Sequence, residues 1–182
     1  MICKRPYMRT TGGKIRSVYA MGYQARNALT PFPCGQCLHC RINKAREWTA
    51  RILFEDMACP FSVFTTLTYD DENLPARNSL KRSDLTDFIR KSRKKLKPLK
   101  FRYFAVGEYG EDGEREVNPH YHLVMFGVSE TMGMMLDKCW KKGITQTLPV
   151  TPELARYITG YVTKKLNKKD QFNLERYPWI KD

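Results

Sequence analysis

Two histidines one residue apart, His120-Tyr121-His122, are the groups in this chain whose chemistry is most easily named. On a strand, successive side chains alternate between faces, so both imidazoles project to one side and Tyr121 to the other. Such a pair is a chelate, and its third ligand is expected from a neighbouring strand. Glu108 closes Val106-Gly107-Glu108, the end of the segment expected to pair with it as a hairpin. Two imidazoles and one carboxylate leave coordination positions open, as a catalytic metal requires. Non-haem iron oxygenases use the same ligand types, and two histidines in ordinary polar positions are the plainer alternative.

A second set of residues bears on that choice. In Tyr157-Ile158-Thr159-Gly160-Tyr161-Val162-Thr163-Lys164-Lys165-Leu166, Ile158, Val162 and Leu166 continue from Leu154 as an i, i+4 stripe suited to burial. At 100° per residue, Tyr157, Tyr161 and Lys164 cluster within about 60° of one another beside that stripe. Boundary tyrosines with buried rings and wet hydroxyls are the commoner use of such positions. Gly160 argues against that use. A glycine inside a helix costs about 1 kcal/mol relative to alanine, which suggests that something approaches closely between the two rings. A phenol with its ordinary pKa near 10 is a poor nucleophile. A divalent cation polarising a phosphoryl oxygen, with a lysine to favour phenolate or offset charge, makes attack on a phosphodiester feasible. The product is a phosphotyrosine that keeps the bond energy for rejoining, and no step needs ATP.

Cys34, Cys37 and Cys40 form C-x2-C-x2-C. Structural zinc takes four thiolate or imidazole ligands in a closed tetrahedron. Cys3 is the expected fourth, since binding it would pin the intervening loop, whereas His39 is immediately adjacent to Cys40. The ferredoxin continuation x3-C-P is missing, with Lys44 and Ala45 in its place, and Arg41 follows Cys40 where attached haem needs histidine. The alternative is reduced, buried thiols. Cys59 and Cys139 read as small core residues.

These groups need a scaffold. A chain of 182 residues, 42% hydrophobic, suits one domain with a real core. The organisation expected is a zinc-binding module over residues 1–44 packed on a main domain over residues 45–182, or one unit containing both. The first forty residues read as loop. A helix follows over Arg41 to Met57, with Ile42, Ala45, Thr49, Ile52 and Leu53 on one face. Phe61 to Tyr69 reads as a buried strand, and Ser83 as the N-cap of a helix turning Leu85, Phe88, Ile89 and Leu96 inward. Phe101 to Glu108 and His120 to Phe126 read as a long hairpin. Met132 to Lys142 reads as a helix, Ile144 to Leu148 as a short strand, and Thr151-Pro152 opens the last helix, running to about Leu166. Irregular alternation around one hairpin implies an α+β fold: a mainly antiparallel sheet with helices on one side.

Charge narrows the partner. With 32 Lys+Arg against 19 Asp+Glu the formal net charge is +13, a field that attracts polyanions, above all nucleic acid. The run Arg90, Lys91, Arg93, Lys94, Lys95 and Lys97 complements a helix C-terminus and equally suits phosphate contact; Arg90 and Lys94 are the DNA-binding candidates. No stretch approaches the roughly 18 apolar residues of a membrane span, the first residues lack an apolar export signal, and GxxxxGK[ST] is absent. The expectation is a cytosolic protein without a membrane partner.

Three motifs together resemble the HUH endonucleases, the rolling-circle replication initiators of single-stranded DNA viruses and plasmids, and most of all the gokushovirus branch of the microviruses. They are Phe64-Thr65-Thr66-Leu67-Thr68-Tyr69; Val106-Gly107-Glu108-Tyr109-Gly110 leading to Asn118-Pro119-His120-Tyr121-His122; and Tyr157 to Lys165. Pro33 to Arg41, with Cys3 upstream, also looks like the gokushovirus pattern. The resemblance implies a ferredoxin-like or RRM-like sheet carrying Glu108, His120 and His122 as ligands of Mg2+ or Mn2+. It implies Tyr157 and Tyr161 as nucleophiles, one cleaving origin DNA to leave a 5′-phosphotyrosine and a free 3′ hydroxyl, the other rejoining the strand. Tyr161 and Lys164 fit the Y-x-x-K pattern of single-tyrosine relatives, which ranks Tyr161 first. Thr66, Thr68 and Lys165 are further DNA-binding candidates. The implied partners are single-stranded origin DNA and a host helicase and polymerase, in the cytoplasm of a bacterium. Members of the family continue further past the tyrosine helix than Asp182, so a compact or truncated member is expected. A relaxase or transposase shares this chemistry; a non-catalytic, zinc-containing module binding single-stranded nucleic acid is the reading from another class.

Overall fold

The structure, a computed structural model, describes residues 3–9, 12–18, 31–112 and 115–164; residues 110–112, 115–118 and 162–164 are described by backbone alone. The chain divides into two compact units, Met1–Trp48 and Thr49–Asp182, with the boundary inside helix α1 (Leu38–Met57).

In the first unit, β1 (Tyr7–Arg9) and β2 (Ile15–Ser17) pair antiparallel, and Tyr7 exchanges two 2.9 Å backbone hydrogen bonds with Phe32. Among the described residues of this unit only Met8 and Cys40 are buried, so order must come from something other than a core.

The second unit runs β3 (Ser62–Tyr69), α2 (Arg82–Lys95), β4 (Arg102–Asp112), β5 (Arg115–Phe126), α3 (Glu130–Met135), β6 (Gly143–Pro149) and α4 (Pro152–Lys164). Its sheet has the order β4-β5-β3-β6, with every neighbouring pair antiparallel. That is the ferredoxin-like β-α-β-β-α-β arrangement with one helix added after the last strand.

The α+β class and antiparallel sheet expected from the sequence are what is observed, with the covering helices shared between both faces. The reason lies in β3 and β5, which are apolar on both sides. Val63, Leu67, Tyr69, Tyr121, Leu123 and Met125 pack on one face with Phe88 and Ile89 of α2 and with Leu136 and Trp140. Phe64, Val124 and Phe126 pack on the other with Ile52 of α1 and with Ala155 and Ile158 of α4. Thr49 and Thr159 tie these two helices by a 2.8 Å hydroxyl contact.

Local differences from the sequence reading have tertiary causes. Helix α2 starts at Arg82 with Lys81, not Ser83, at its N-cap, because the Tyr121 hydroxyl donates to the Lys81 carbonyl and the Tyr69 hydroxyl to Asp84 in the first turn. The helix expected over Met132 to Lys142 is the short α3, capped by the Ser129 side chain, and then a 3-10 turn over Asp137–Cys139. The tighter turn delivers the buried Trp140 indole N–H to the Thr68 carbonyl, 2.9 Å away. Thr151 caps α4 as its sequence implies, its hydroxyl accepting from the Leu154 N–H.

Candidate active site

Strand register assembles the centre. Glu108 of β4 stands opposite His120 of β5, and His120 opposite Thr68 of β3; one row along, Val106, His122 and Thr66 are aligned. Partners across a ladder share a face, so Glu108, His120, His122, Thr66 and Thr68 all lie on the face that packs on α1 and α4. Tyr121, between the histidines, points into the opposite layer.

Oε2 of Glu108 lies 3.0 Å from Nε2 of His120 and 3.1 Å from Nε2 of His122. All three ligand atoms lie within 4.8 Å of one another. Adjacent ligands of an octahedral cation at about 2.1 Å are about 3.0 Å apart, so these donors fit the edges of one coordination sphere. Burial alone raises the Glu108 carboxyl, but hydrogen bonds from His120, His122 and Tyr161 outweigh it and hold the group well below the usual carboxylate range. The group is therefore an anion although only 8% exposed. Oγ1 of Thr66 lies 3.1 Å from Nδ1 of His122. A proton on Nδ1 donated to Thr66 leaves the Nε2 lone pair facing the carboxylate, an arrangement that a cation satisfies.

Helix α4 brings both tyrosines to this group. The Tyr157 hydroxyl is 3.4 Å from Nε2 of His122, and the Tyr161 hydroxyl bonds to Glu108. The His122 ring stacks between Phe64 at 5.4 Å and Tyr161 at 5.5 Å. Burial, with Tyr157 and Glu108 as neighbours, pushes the Tyr161 phenol well above its ordinary value. The two phenol rings touch edge to face, with centroids 4.9 Å apart. Nothing fits between them, contrary to the close approach expected there from Gly160; the space open at Gly160 lies on the outer flank of the helix, where a Cβ would meet nothing within 4 Å.

Beyond Thr66 and Thr68 the same face continues onto β6, which pairs Ile144 with Thr68, Gln146 with Thr66 and Leu148 with Phe64. Ile144 is 71% exposed, leaving an uncharged, open strip beside the triad. Sequence reasoning missed this strip, since Ile144 to Leu148 reads as an isolated strand until its pairing partner is known. Arg90 and Lys94 stand on α2, on the opposite face of the sheet from the triad, and Arg90 pairs with Asp87 at 3.1 Å. Lys164 is the last residue of α4, and its side chain, like all of Lys165, lies outside the described residues.

Within the first unit, the Sγ atoms of Cys3, Cys34, Cys37 and Cys40 all lie within 4.8 Å of one another. Cys34 and Cys40 are separated by 3.9 Å, as are Cys3 and Cys37. These distances exceed a disulfide bond but match the edge of a thiolate tetrahedron, about 3.8 Å for a metal at 2.3 Å. The backbone N–H groups of Cys40 and Lys4 draw the Cys37 thiol down to about 6, while burial and the neighbouring sulfurs push Cys40 up to about 12. Cys139 is buried and Cys59 half-buried, both apart from this cluster.

Comparison with known proteins sets this geometry in context. Residues 62–166 match the family of the replication-associated protein ORF2. The chain is 31% identical over 170 residues to Replication-associated protein ORF2 of Spiroplasma virus 4, covering 80% of this chain and 52% of that protein. It is 31% identical over 159 residues to Replication-associated protein VP4 of Bdellovibrio phage phiMH2K, covering 74% of this chain and 49% of that one. The chain thus spans about half the length of the curated relatives it matches. Among solved structures, the hypothetical protein ORF119 from Sulfolobus islandicus rod-shaped virus 1 aligns with a TM-score of 0.43 at 13% identity, covering 62% of this chain and 92% of that chain. No helix among the described residues is long and apolar enough to cross a membrane.

Proposed function

Given that this chain belongs to the replication-associated protein ORF2 family, we propose that it nicks and rejoins single-stranded origin DNA as a rolling-circle replication initiator of the HUH type. One observation carries the reading: two phenols on α4 converge on a carboxylate and two imidazoles spaced as ligands of one cation.

Glu108, His120 and His122 would hold Mg2+ or Mn2+, which when bound polarises a phosphoryl oxygen of the substrate. The chain's own groups do the rest. The phenol oxygen of Tyr161 or Tyr157 forms a bond to phosphorus and loses its proton, while the bond from phosphorus to the 3′ oxygen breaks and that oxygen takes up a proton. The 5′ phosphate stays on tyrosine, and the free 3′ hydroxyl primes synthesis. The second tyrosine reverses the exchange on a later strand, which two phenols in contact are placed to do. Bases lie over Thr66 and Thr68 and the uncharged strip of β6, while the net charge of +13 draws in the phosphates. Cys3, Cys34, Cys37 and Cys40 would hold structural Zn2+. The partners in this reading are origin DNA and a host helicase and polymerase, in the cytoplasm of a bacterial host.

The test is incubation with end-labelled single-stranded DNA and Mn2+, followed by a denaturing gel. A covalent adduct is expected from the native chain and none from Tyr157→Phe combined with Tyr161→Phe, with DNA binding retained. An adduct surviving in the double variant removes the nucleophiles. Binding without any adduct from the native chain favours a non-catalytic nucleic-acid module.

A further inference from the structure

Helix α4 carries a glycine that the fold itself does not call for. Elsewhere the glycines have visible reasons: a Cβ at Gly107 would run into the Leu80 side chain, and one at Gly143 into the backbone around Thr68. At Gly160 a Cβ would meet nothing within 4 Å, and the residue is exposed within a helix. Glycine is among the poorest residues for a helix interior, and neither a turn nor internal packing compensates here.

Its surroundings suggest what does. At 100° per residue, Gly160 lies about 60° round the helix from Tyr157, away from the buried side, and Arg156 about 40° further. Because the two phenol rings are in contact, an incoming strand cannot pass between them and must come along a flank. One flank is the buried side, formed by Ala155, Ile158 and Thr159. The other is Gly160 with the exposed Arg156, whose neighbouring carboxylate is Glu153.

Building on the nicking reading, we infer that the sugar-phosphate backbone of the substrate strand crosses α4 at Gly160, against bare helix backbone, with the Arg156 guanidinium on a flanking phosphate. Bond formation needs phosphorus within about 3.5 Å of a phenol oxygen, and a side chain at position 160 would hold the strand off by its own width. A guanidinium one turn earlier presents the forked donors that suit a phosphate.

The experiment is fluorescence anisotropy with a labelled, random-sequence single strand and no added divalent metal, on Gly160→Ala, Gly160→Leu and Arg156→Ala. Gly160→Ala should raise the thermal midpoint by about 2–4 °C while weakening strand binding several-fold. Gly160→Leu, which also favours helix, should weaken binding by about tenfold or more. Arg156→Ala should lower the slope of log K against log salt by about 0.7, the value for one phosphate of a single strand. Binding within twofold of the native chain for Gly160→Leu, or an unchanged salt slope for Arg156→Ala, overturns the inference. Failure of the parent reading looks different: the native chain then forms no adduct with Mn2+, whatever the Gly160 variants do to binding.

Discussion

The Thr66 hydroxyl lies 3.1 Å from Nδ1 of His122, the ring whose other nitrogen faces Glu108 at 3.1 Å. A strand residue with no ligand role of its own thus fixes the orientation of a ligand from the neighbouring strand. Outer contacts of this kind alter metal affinity by about 10- to 100-fold. Thr66→Val keeps the shape and removes the hydroxyl, so Mn2+ binding should weaken within that range while the thermal midpoint changes little. Calorimetric titration with Mn2+ reads this directly; an unaltered dissociation constant would mean that Thr66 does not orient the ring.

The two tyrosines differ in exposure and partner. Tyr157 is 46% exposed with its hydroxyl toward His122, whereas Tyr161 is half-buried with its hydroxyl on Glu108. With Tyr161 as the initiating residue, Tyr161→Phe alone should abolish the first covalent adduct, and Tyr157→Phe should allow it but block transfer of a second strand. A gel that resolves adduct from rejoined product tests both. The opposite pattern reverses the order of use without removing the chemistry.

Zinc should be a folding requirement of the first unit rather than a decoration. Only Met8 and Cys40 are buried among its described residues, too little apolar burial to order about fifty residues. In small domains of this sort, metal binding and folding are one event. One zinc per chain is expected by elemental analysis, retained by His39→Ala and lost by Cys3→Ala. Removal by a chelator should open the β1–β2 hairpin to protease. Unchanged cleavage after zinc is gone would show that the hairpin is held by other means.

Much of this architecture is legible along the chain because it depends on local period. The alternation in His120-Tyr121-His122 puts two imidazoles on one face, and the i, i+4 stripe of Leu154 and Ile158 turns Tyr157 and Tyr161 toward the strand that carries them. What is not legible depends on pairing across the chain. Ser83 has the right chemistry for a cap, yet Tyr69 and Tyr121, distant in sequence, decide where α2 begins. The segment after Ser129 has helical character, yet the bond from Trp140 to Thr68 shortens it. The open strip on β6 follows from a register between residues some eighty positions apart, which no single-strand pattern encodes. Gly160 is legible as an anomaly, but the side from which a partner approaches is visible only with the rings seen in contact.

Gly143 offers a last test, opposite in sign to Gly160. It opens β6 with φ of 141°, a backbone region that side chains rarely adopt. A Cβ there would strike the Thr68 carbonyl oxygen, the Asp70 nitrogen and the Tyr69 carbonyl carbon, all backbone atoms that cannot swing aside. The Asp70 N–H also donates to the Lys142 carbonyl at 3.0 Å, so relief by moving the loop breaks a hydrogen bond. Gly143→Ala should therefore destabilise the fold by about 1–3 kcal/mol, or between about 2 and 12 °C in thermal midpoint. Because Thr68 is aligned with His120 in the ladder, the shift should reach the triad, and Mn2+ affinity should fall together with stability. A variant that loses stability but binds Mn2+ like the native chain would show that the strain is absorbed in the loop before β6. A variant as stable as the native chain would show that β6 does not start as described.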